Sequence, residues 1–322
     1  MGGWATHRRR WARRAWGCGS ALGLLLLGAA ALLWLVDWLA ARPSGGQAGR
    51  VANDAMLSIS GGLRRLRPAA NNYTDGDGPL YRGAFAPPPG PRPAELVVVS
   101  YNLHYGDGGD AARRAFAAES ATPLPDFILL QEANAADTET LATALGYEYV
   151  YFPASVERDG RDFGNAILSR WPLSDPVKLI LPGTHPISGQ QRTATRATAR
   201  VDGLDVLLYS THIEIATAPT ALRVAQMATV AADVPAEAAA VIIGGDFNLV
   251  TPQGVRALVD LYAAEELDHA SDGAGPTLTR FGVRVAADHL FVRGFEVVAA
   301  GVLSDVTGSD HSPVWARLGI RD

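Results

Sequence analysis

The chemically capable side chains of this chain fall at the ends of its apolar runs. Asn102 follows VVVSY, Glu132 follows FILLQ, His212 follows VLLYST, and Asp246 and Asn248 follow VIIGG. Asp288 precedes HLFV, and the pair Asp310 and His311 precedes SPVW. A carboxylate such as Glu132 is an oxygen ligand suited to Mg²⁺, which takes few carboxylates and keeps several waters. A neutral imidazole accepts a proton from water near pH 7, and amide N–H groups donate to an oxyanion. Such a set serves hydrolysis of a phosphate ester. The ester is anionic and repels hydroxide, so its site needs positive charge on the phosphate and a base for the water.

Taken one at a time, these residues have plainer readings. An Asn or Asp after a strand is usually a turn former or a helix cap, and Gly244-Gly245-Asp246 alone reads as a tight turn. His104, His185 and His269 are assigned no role. The functional case rests on recurrence, because rigid strands position groups that loops alone leave loose. Repeated placement at strand ends implies that those ends converge.

Strands are expected over 95–101, 126–131, 165–169, 195–201, 204–210, 240–244, 289–292 and 314–318, and helices over 111–119, 138–145 and 219–232. Strands outnumber helices and many are adjacent, which disfavours a simple alternating parallel sheet. Two mixed sheets packed face to face, with helices outside, fit better.

The pairs and motifs YN at 101–102, QE at 131–132, GNAILSR at 164–170, TH at 211–212, GDFN at 245–248 and SDHSPV at 309–314 occur in this order. The pattern resembles the endonuclease/exonuclease/phosphatase superfamily, whose fold is deoxyribonuclease I-like, over residues 95–318. The resemblance implies a four-layered α/β sandwich with one metal-dependent site at the sheet edges. It implies Glu132 as the main ligand of Mg²⁺, or of Mn²⁺ in its place, with Asn102 and Asp310 close to the metal. His311 is the expected general base and Asp288 its orienting partner; Asp246 is the alternative group to activate the water. Asn102 and Asn248 would hold the phosphate, and His212 would stabilise the developing charge or protonate the leaving group. Arg170, Arg192 and Arg196 fall in segments similar to family positions near the substrate groove, or else form surface ion pairs. Arg223 and Gln226 follow TH as a helix supporting the site does in relatives. The chain departs from the family before Asp288, where Arg284-Val285-Ala286-Ala287 lacks the usual large apolar residue. It departs again at His289, where many relatives carry Tyr; neighbours in a strand face opposite ways, so His289 is expected to pack.

The N-terminal region reads differently. Residues 1–16 are basic, and residues 17–36 carry no charge. As a helix that run spans roughly 30 Å, the thickness of a bilayer core. Trp11 and Trp16 precede it and Trp34 and Trp38 lie at its end, and the arginines upstream place the N-terminus in the cytoplasm. The expectation is a single-pass anchor over 17–41, a Pro- and Gly-rich tether over 42–93 and an extracytoplasmic catalytic domain over 94–322. A cleaved signal peptide, including a degenerate twin-arginine form at Arg13-Arg14, is the rival reading. An amphipathic helix is expected over 51–66, packed on itself or solvated, with a lipid surface as its other possible bed.

The single Cys18 excludes a disulfide framework and a Cys-rich zinc module. Residues 1–50 carry seven arginines against Asp37, so the other 272 residues hold −11 of a total −5. A body this acidic has no broad basic field for tight, non-specific nucleic-acid binding. The expected substrate is a phosphodiester, of a lipid headgroup or of nucleic acid, and no protein partner is expected. A membrane-anchored binding module with a dead site is the reading from another class; the intact metal Glu and Asp-His pair argue against it.

Overall fold

The structure is a computed structural model that describes residues 71–85, 90–117, 124–157, 160–185, 188–280 and 283–321. The basic segment, the 17–41 span with Cys18, and the 51–66 helix lie outside the described residues. Among the described residues, no helix is long and apolar enough to cross a membrane.

The strands are β1 (Asn71–Asn72), β2 (Tyr81–Ala84), β3 (Glu95–Asn102), β4 (Phe127–Ala133), β5 (Glu148–Val156), β6 (Asp162–Ser169), β7 (Leu173–Thr184), β8 (Gln191–Val201), β9 (Leu204–His212), β10 (Ala240–Asp246), β11 (Asp268–His269), β12 (Leu278–Arg280), β13 (Val283–Val285), β14 (Asp288–Arg293), β15 (Phe295–Val302) and β16 (Val314–Ile320). The helices are α1 (Gly109–Phe116), α2 (Ala135–Leu145), α3 (Thr220–Ala232) and α4 (Pro252–Ala263). One sheet runs β1-β5-β6-β4-β3-β16-β15 with β2 also beside β5, the other β11-β14-β10-β9-β8-β7, and β12 and β13 form a separate hairpin.

The valine-rich β3 shows why the chain stacks in layers. Leu96 and Val98 face the core between the two sheets, which they share with Leu208 and Ile242 of the other sheet. Val99 and Tyr101 face the opposite way, onto Phe116 of α1 and Leu141 of α2. On the second sheet, Val241 and Ile243 pack outward onto Met227 and Val230 of α3 and Leu258 and Tyr262 of α4. Strands buried on both faces read as continuous apolar runs. The result is helices, sheet, sheet, helices, as the sequence led one to expect.

Local signals set the helix ends. Asn134 caps α2 by accepting from the Asp137 N–H, and Gly146, at φ 68°, ends it in the left-handed conformation. Thr251 caps α4, with Pro252 in its first turn.

Two stretches differ from the sequence reading. Asn71–Asn72 and Tyr81–Ala84 fall in the region read as a tether, yet both pair with β5. Lys178, the only lysine, donates to the carbonyls of Tyr73 (3.1 Å) and Gly78 (2.6 Å) and so fastens this segment to β7. The tether reading therefore fails for residues 71–84. The structure also adds β5, β7, β11, β12, β13, β15 and α4, which were not expected.

Candidate active site

Topology gathers the polar residues. Strands β3 and β4 are parallel, as are β9 and β10, so Asn102, Glu132, His212 and Asp246 all lie at carboxyl ends. β14 runs antiparallel to β10 with Asp288 opposite Asp246, and β16 runs antiparallel to β3 with Val314 opposite Ser100. Asp288, which opens β14, and the residues just before β16 thus reach the same edge. The two sheets are tied there by Gln131, whose Nε2 donates to Ser210 Oγ at 3.0 Å.

Asp246 is the centre of the cluster. Its Oδ2 accepts from Asn102 Nδ2 at 2.9 Å and lies 3.6 Å from His212 Nε2 and 3.7 Å from His311 Nε2. Its Oδ1 accepts from the Asn248 N–H at 2.8 Å. Burial raises the Asp246 pKa, and the Asp288 and Glu132 carboxylates add to the rise against the opposing pull of His311 and the Asn248 N–H. The glycine before it is a packing requirement: a Cβ on Gly245 would lie 2.1 Å from the Thr211 carbonyl oxygen. Gly245 thus lets β10 approach β9 closely, while a Cβ on Gly244 would meet Leu129 and Leu290; the pair lies within the strand and not in a turn.

His311 Nδ1 lies 2.7 Å from Asp288 Oδ2. That carboxylate places the ring proton on Nδ1 and turns Nε2 toward Asp246. Burial alone would depress His311, but Asp288 and Asp246 outweigh it and raise the pKa. Asp288 is held by its own N–H and that of Ala287, both donating to Thr277 Oγ1 at 3.0 Å. This geometry makes Asp288 the partner of His311 despite the unusual segment before it. His289 points to the other face, 3.1 Å from His269 Nε2 and among Phe247 and Phe291; it packs, as expected.

His212 is held neutral. Burial lowers its pKa most, followed by the charge of Arg192, with His311 and His185 adding to the effect. Arg192 Nη1 lies 3.2 Å from His212 Nδ1. An arginine only donates, so Nδ1 accepts and the proton of His212 sits on Nε2, 3.8 Å from Glu132 Oε1 and facing Asp246. Arg192 is fixed in turn by Glu214, Nε to Oε1 at 3.0 Å, with side chains 5% and 0% exposed. Gln226 of α3 accepts from the Glu214 N–H, which is the supporting role expected of that helix.

Glu132 occupies a bulge in β4, where the register with β6 shifts between Leu130 and Ala133. Its φ is 53° and that of Asn248 is 50°. Left-handed backbone is ordinary for Asn and uncommon for Glu, and strain of this kind concentrates at functional sites. Glu132 Oε1 accepts from Asn102 Nδ2 at 3.3 Å and Oε2 from the Tyr105 N–H at 2.9 Å.

Not every expected residue arrives. Arg170 pairs with Asp126 at 2.8 Å; Asp126 precedes β4, so this pair lies at the strand end opposite Glu132. Arg196 pairs at 2.7 Å with Asp233, the residue that ends α3, beside Tyr209. Both are ion pairs and neither joins the cluster, so a groove role does not follow for them. Asp310 lies at the rim, its Oδ1 4.0 Å from His104 Nε2. Glu214, Tyr105 and Phe163 were missed. Glu214 had a faint signal, a carboxylate two residues past TH; the two aromatics had none.

The donor set fits a hard divalent cation. Glu132, Asp246, Asp288 and Asp310 supply carboxylate oxygens, and the Asp246 carboxylate, disfavoured as an ion chiefly by its burial, would gain from a cation beside it. Asp246, Asp288 and His311 each offer a ligand atom within 4.8 Å of one another. His311 Nδ1 is engaged by Asp288, however, and these three side chains are 2%, 1% and 7% exposed, against 13% for Glu132. A divalent cation that keeps part of its water shell is better accommodated on the more open Glu132 side.

Residues 99–311 match the model of the Endonuclease/Exonuclease/phosphatase family. Solved structures share the fold. An endonuclease/exonuclease/phosphatase from Beutenbergia cavernae DSM 12333 is 22% identical over 71% of this chain and 72% of its own, with TM-score 0.58. D. rerio TDP2 complexed with a single-strand DNA product is 18% identical over 70% and 99%, with TM-score 0.57. The mannosyl-6-phosphatase of Bacteroides thetaiotaomicron VPI-5482 is 22% identical over 69% and 99%, with TM-score 0.54. No curated protein matches the chain. The family match, laid over a cluster of carboxylates, amides and imidazoles at one sheet edge, means that this chain belongs to the endonuclease/exonuclease/phosphatase family of hydrolases acting on phosphate ester bonds.

Proposed function

We propose that the chain is a membrane-anchored phosphodiesterase, dependent on Mg²⁺ with Mn²⁺ able to replace it, whose catalytic domain faces away from the cytoplasm and acts on a lipid headgroup. The observation that carries the reaction is the convergence of Asn102, His212 and His311 on Asp246 Oδ2 within 3.7 Å, beside Glu132. The anchor rests on the uncharged run at 17–36, and the lipid reading on the effective concentration that an anchor provides and on the acidic domain.

Glu132, with Asn102 and Asp310 nearby, would hold the cation, which supplies positive charge to the phosphoryl and leaving oxygens. One proton divides between His311 Nε2 and Asp246 Oδ2, 3.7 Å apart, and whichever atom lacks it is the acceptor. Water attacking the phosphorus gives up its proton there. Asn248 Nδ2 donates to the Ile213 carbonyl and keeps a second N–H for a phosphate oxygen. His212, neutral and carrying its proton on Nε2, donates a hydrogen bond that stabilises the charge on the departing oxygen and keeps its proton; the departing oxygen takes its proton from solvent water.

The test is turnover of phospholipids and of plasmid DNA by the full-length chain in Mg²⁺, beside Glu132→Ala and His311→Ala. The expected result is headgroup release that falls by about 10²- to 10⁴-fold in His311→Ala. Plasmid nicking lost in Glu132→Ala, without headgroup release, would assign a nuclease. Near-normal activity of His311→Ala would overturn the assignment of the base. Full-length chain recovered in the soluble fraction after cell breakage would sink the anchor.

A further inference from the structure

The loop after β3 is built in an unusual way. His104, Tyr105 and Gly106 have φ of 49°, 56° and 85°, three successive residues in the left-handed region. Only the last is a glycine, and a Cβ there would lie 2.5 Å from Asn134 Nδ2. The loop is nevertheless firmly tied. The Asp107 N–H donates to the His104 carbonyl at 3.0 Å and the Gly108 N–H to the Leu103 carbonyl at 2.8 Å. The Tyr105 N–H donates to Glu132 Oε2 at 2.9 Å.

This pedestal holds a large aromatic ring out to solvent. Tyr105 is 47% exposed, among the most exposed of the large apolar and aromatic residues described. Its ring lies 5.4 Å from that of His104 and 5.5 Å from that of Phe163, and Phe163 lies 5.9 Å from His212. A line of flat rings therefore runs from the rim to the group that faces the departing oxygen. A core role does not account for a residue this exposed, and backbone strain held by surrounding contacts is a feature of ligand clamps.

We propose that Tyr105 is a platform for the departing alcohol, and that this alcohol carries a ring whose face lies on the Tyr105 ring. The proposal rests on the phosphodiesterase reading above and narrows its substrate class. A nucleobase and a cyclic polyol share the needed chemistry, a face of π-electrons or C–H bonds; an acyclic headgroup lacks it. Tyr105 would be a specificity residue that makes no contact with the reacting atoms.

The experiment measures binding and turnover separately, on the full-length chain with Mg²⁺. Calorimetry gives dissociation constants for thymidine 5′-phosphate, inositol 1-phosphate, phosphocholine and methyl phosphate; turnover is followed on bis(p-nitrophenyl) phosphate. Tyr105→Asn removes the ring with a residue suited to positive φ, and Tyr105→Trp keeps a platform. The expected result is that a ring-bearing ester binds about 10-fold more tightly than methyl phosphate, a gap lost in Tyr105→Asn and kept in Tyr105→Trp. Whichever of thymidine and inositol phosphate shows the larger gap names the source of the ring. A gap unchanged in Tyr105→Asn, or no gap in the wild type, overturns the proposal even if turnover is robust. Phosphocholine bound as tightly as the ring-bearing esters also overturns it, because a cation over the ring face would account for that. The gap without turnover would leave the platform standing and remove the phosphodiesterase reading.

Discussion

The buried pair of Arg192 and Glu214 separates stability from catalysis in a way that variants can expose. Arg192 is 5% exposed, Glu214 is 0% exposed, and they meet at 3.0 Å. Burial already raises the Glu214 pKa, with the Arg192 charge opposing the rise. Arg192→Met would leave that carboxylate buried without its partner, at a cost of about 3–5 kcal/mol. Removing both partners, as Arg192→Met with Glu214→Leu, replaces the pair by apolar groups and should recover most of the loss, since such replacements are often near neutral. Activity should not recover. His212 depends on the 3.2 Å contact from Arg192 to Nδ1 for its ring orientation. Without it the Nε2–H is no longer aimed, and misplacement of that size costs about 10²-fold in kcat. Urea denaturation gives the stabilities and bis(p-nitrophenyl) phosphate the rates. A single variant within about 1 kcal/mol of the wild type would refute the reasoning about the pair. A double variant with wild-type kcat would refute the reasoning about His212.

Three further outcomes are expected. Burial lowers the His289 pKa from 6.5 to about 4; the unfolded chain therefore binds a proton between those values that the folded chain does not. That contribution to stability is fully present above pH 6.5 and is lost as pH falls toward 4, by roughly 3 kcal/mol in all. His289→Phe should flatten the dependence between pH 7.5 and 5 in urea denaturation, and an unchanged slope would count against it. Mg²⁺ should raise Tm of the wild type, by the equivalent of about 2.7 kcal/mol at a hundred times Kd, while EDTA should abolish turnover; a Mg²⁺ shift of the same size in Glu132→Ala would move the metal elsewhere. Arg170→Ala should cost about 1 kcal/mol of stability through the half-exposed pair with Asp126 and leave kcat/KM unchanged, so a fall in kcat/KM would return Arg170 to the groove.

Much of the fold was legible because its central strands are buried on both faces. Runs such as VVV in β3 and VII in β10 have no polar face, and a strand sandwiched between two cores needs none. Edge elements were harder. β15 carries Val297 and Val298 side by side, 37% and 42% exposed, with a register shift after Val297, so its alternation is broken. β5 contains Pro153 at another register shift, and a proline inside a run argues against a strand. β1 and β2 sit in a stretch whose prolines and glycines read as a spacer, and only pairing with β5 makes them strands.

The sequence by itself determined which residues can do the chemistry. Asn102, Glu132, His212, Asp246, Asn248, Asp288 and His311 each stand beside an apolar run, and local pattern locates strand ends. It also determined, through the alternation of a strand, that His289 turns away from Asp288. Tertiary structure alone decided what each group touches. Arg170, Arg192 and Arg196 are alike in sequence; one lies at the far end of β4, one at the carboxyl end of α3, and of the three Arg192 reaches His212. Side-chain partners come from different strands and different sheets, and no spacing along the chain encodes a distance across the gap between sheets. The same holds for protonation. His212 and His289 are depressed and His311 is raised because burial and neighbouring charge act through space, where the chain has folded back on itself.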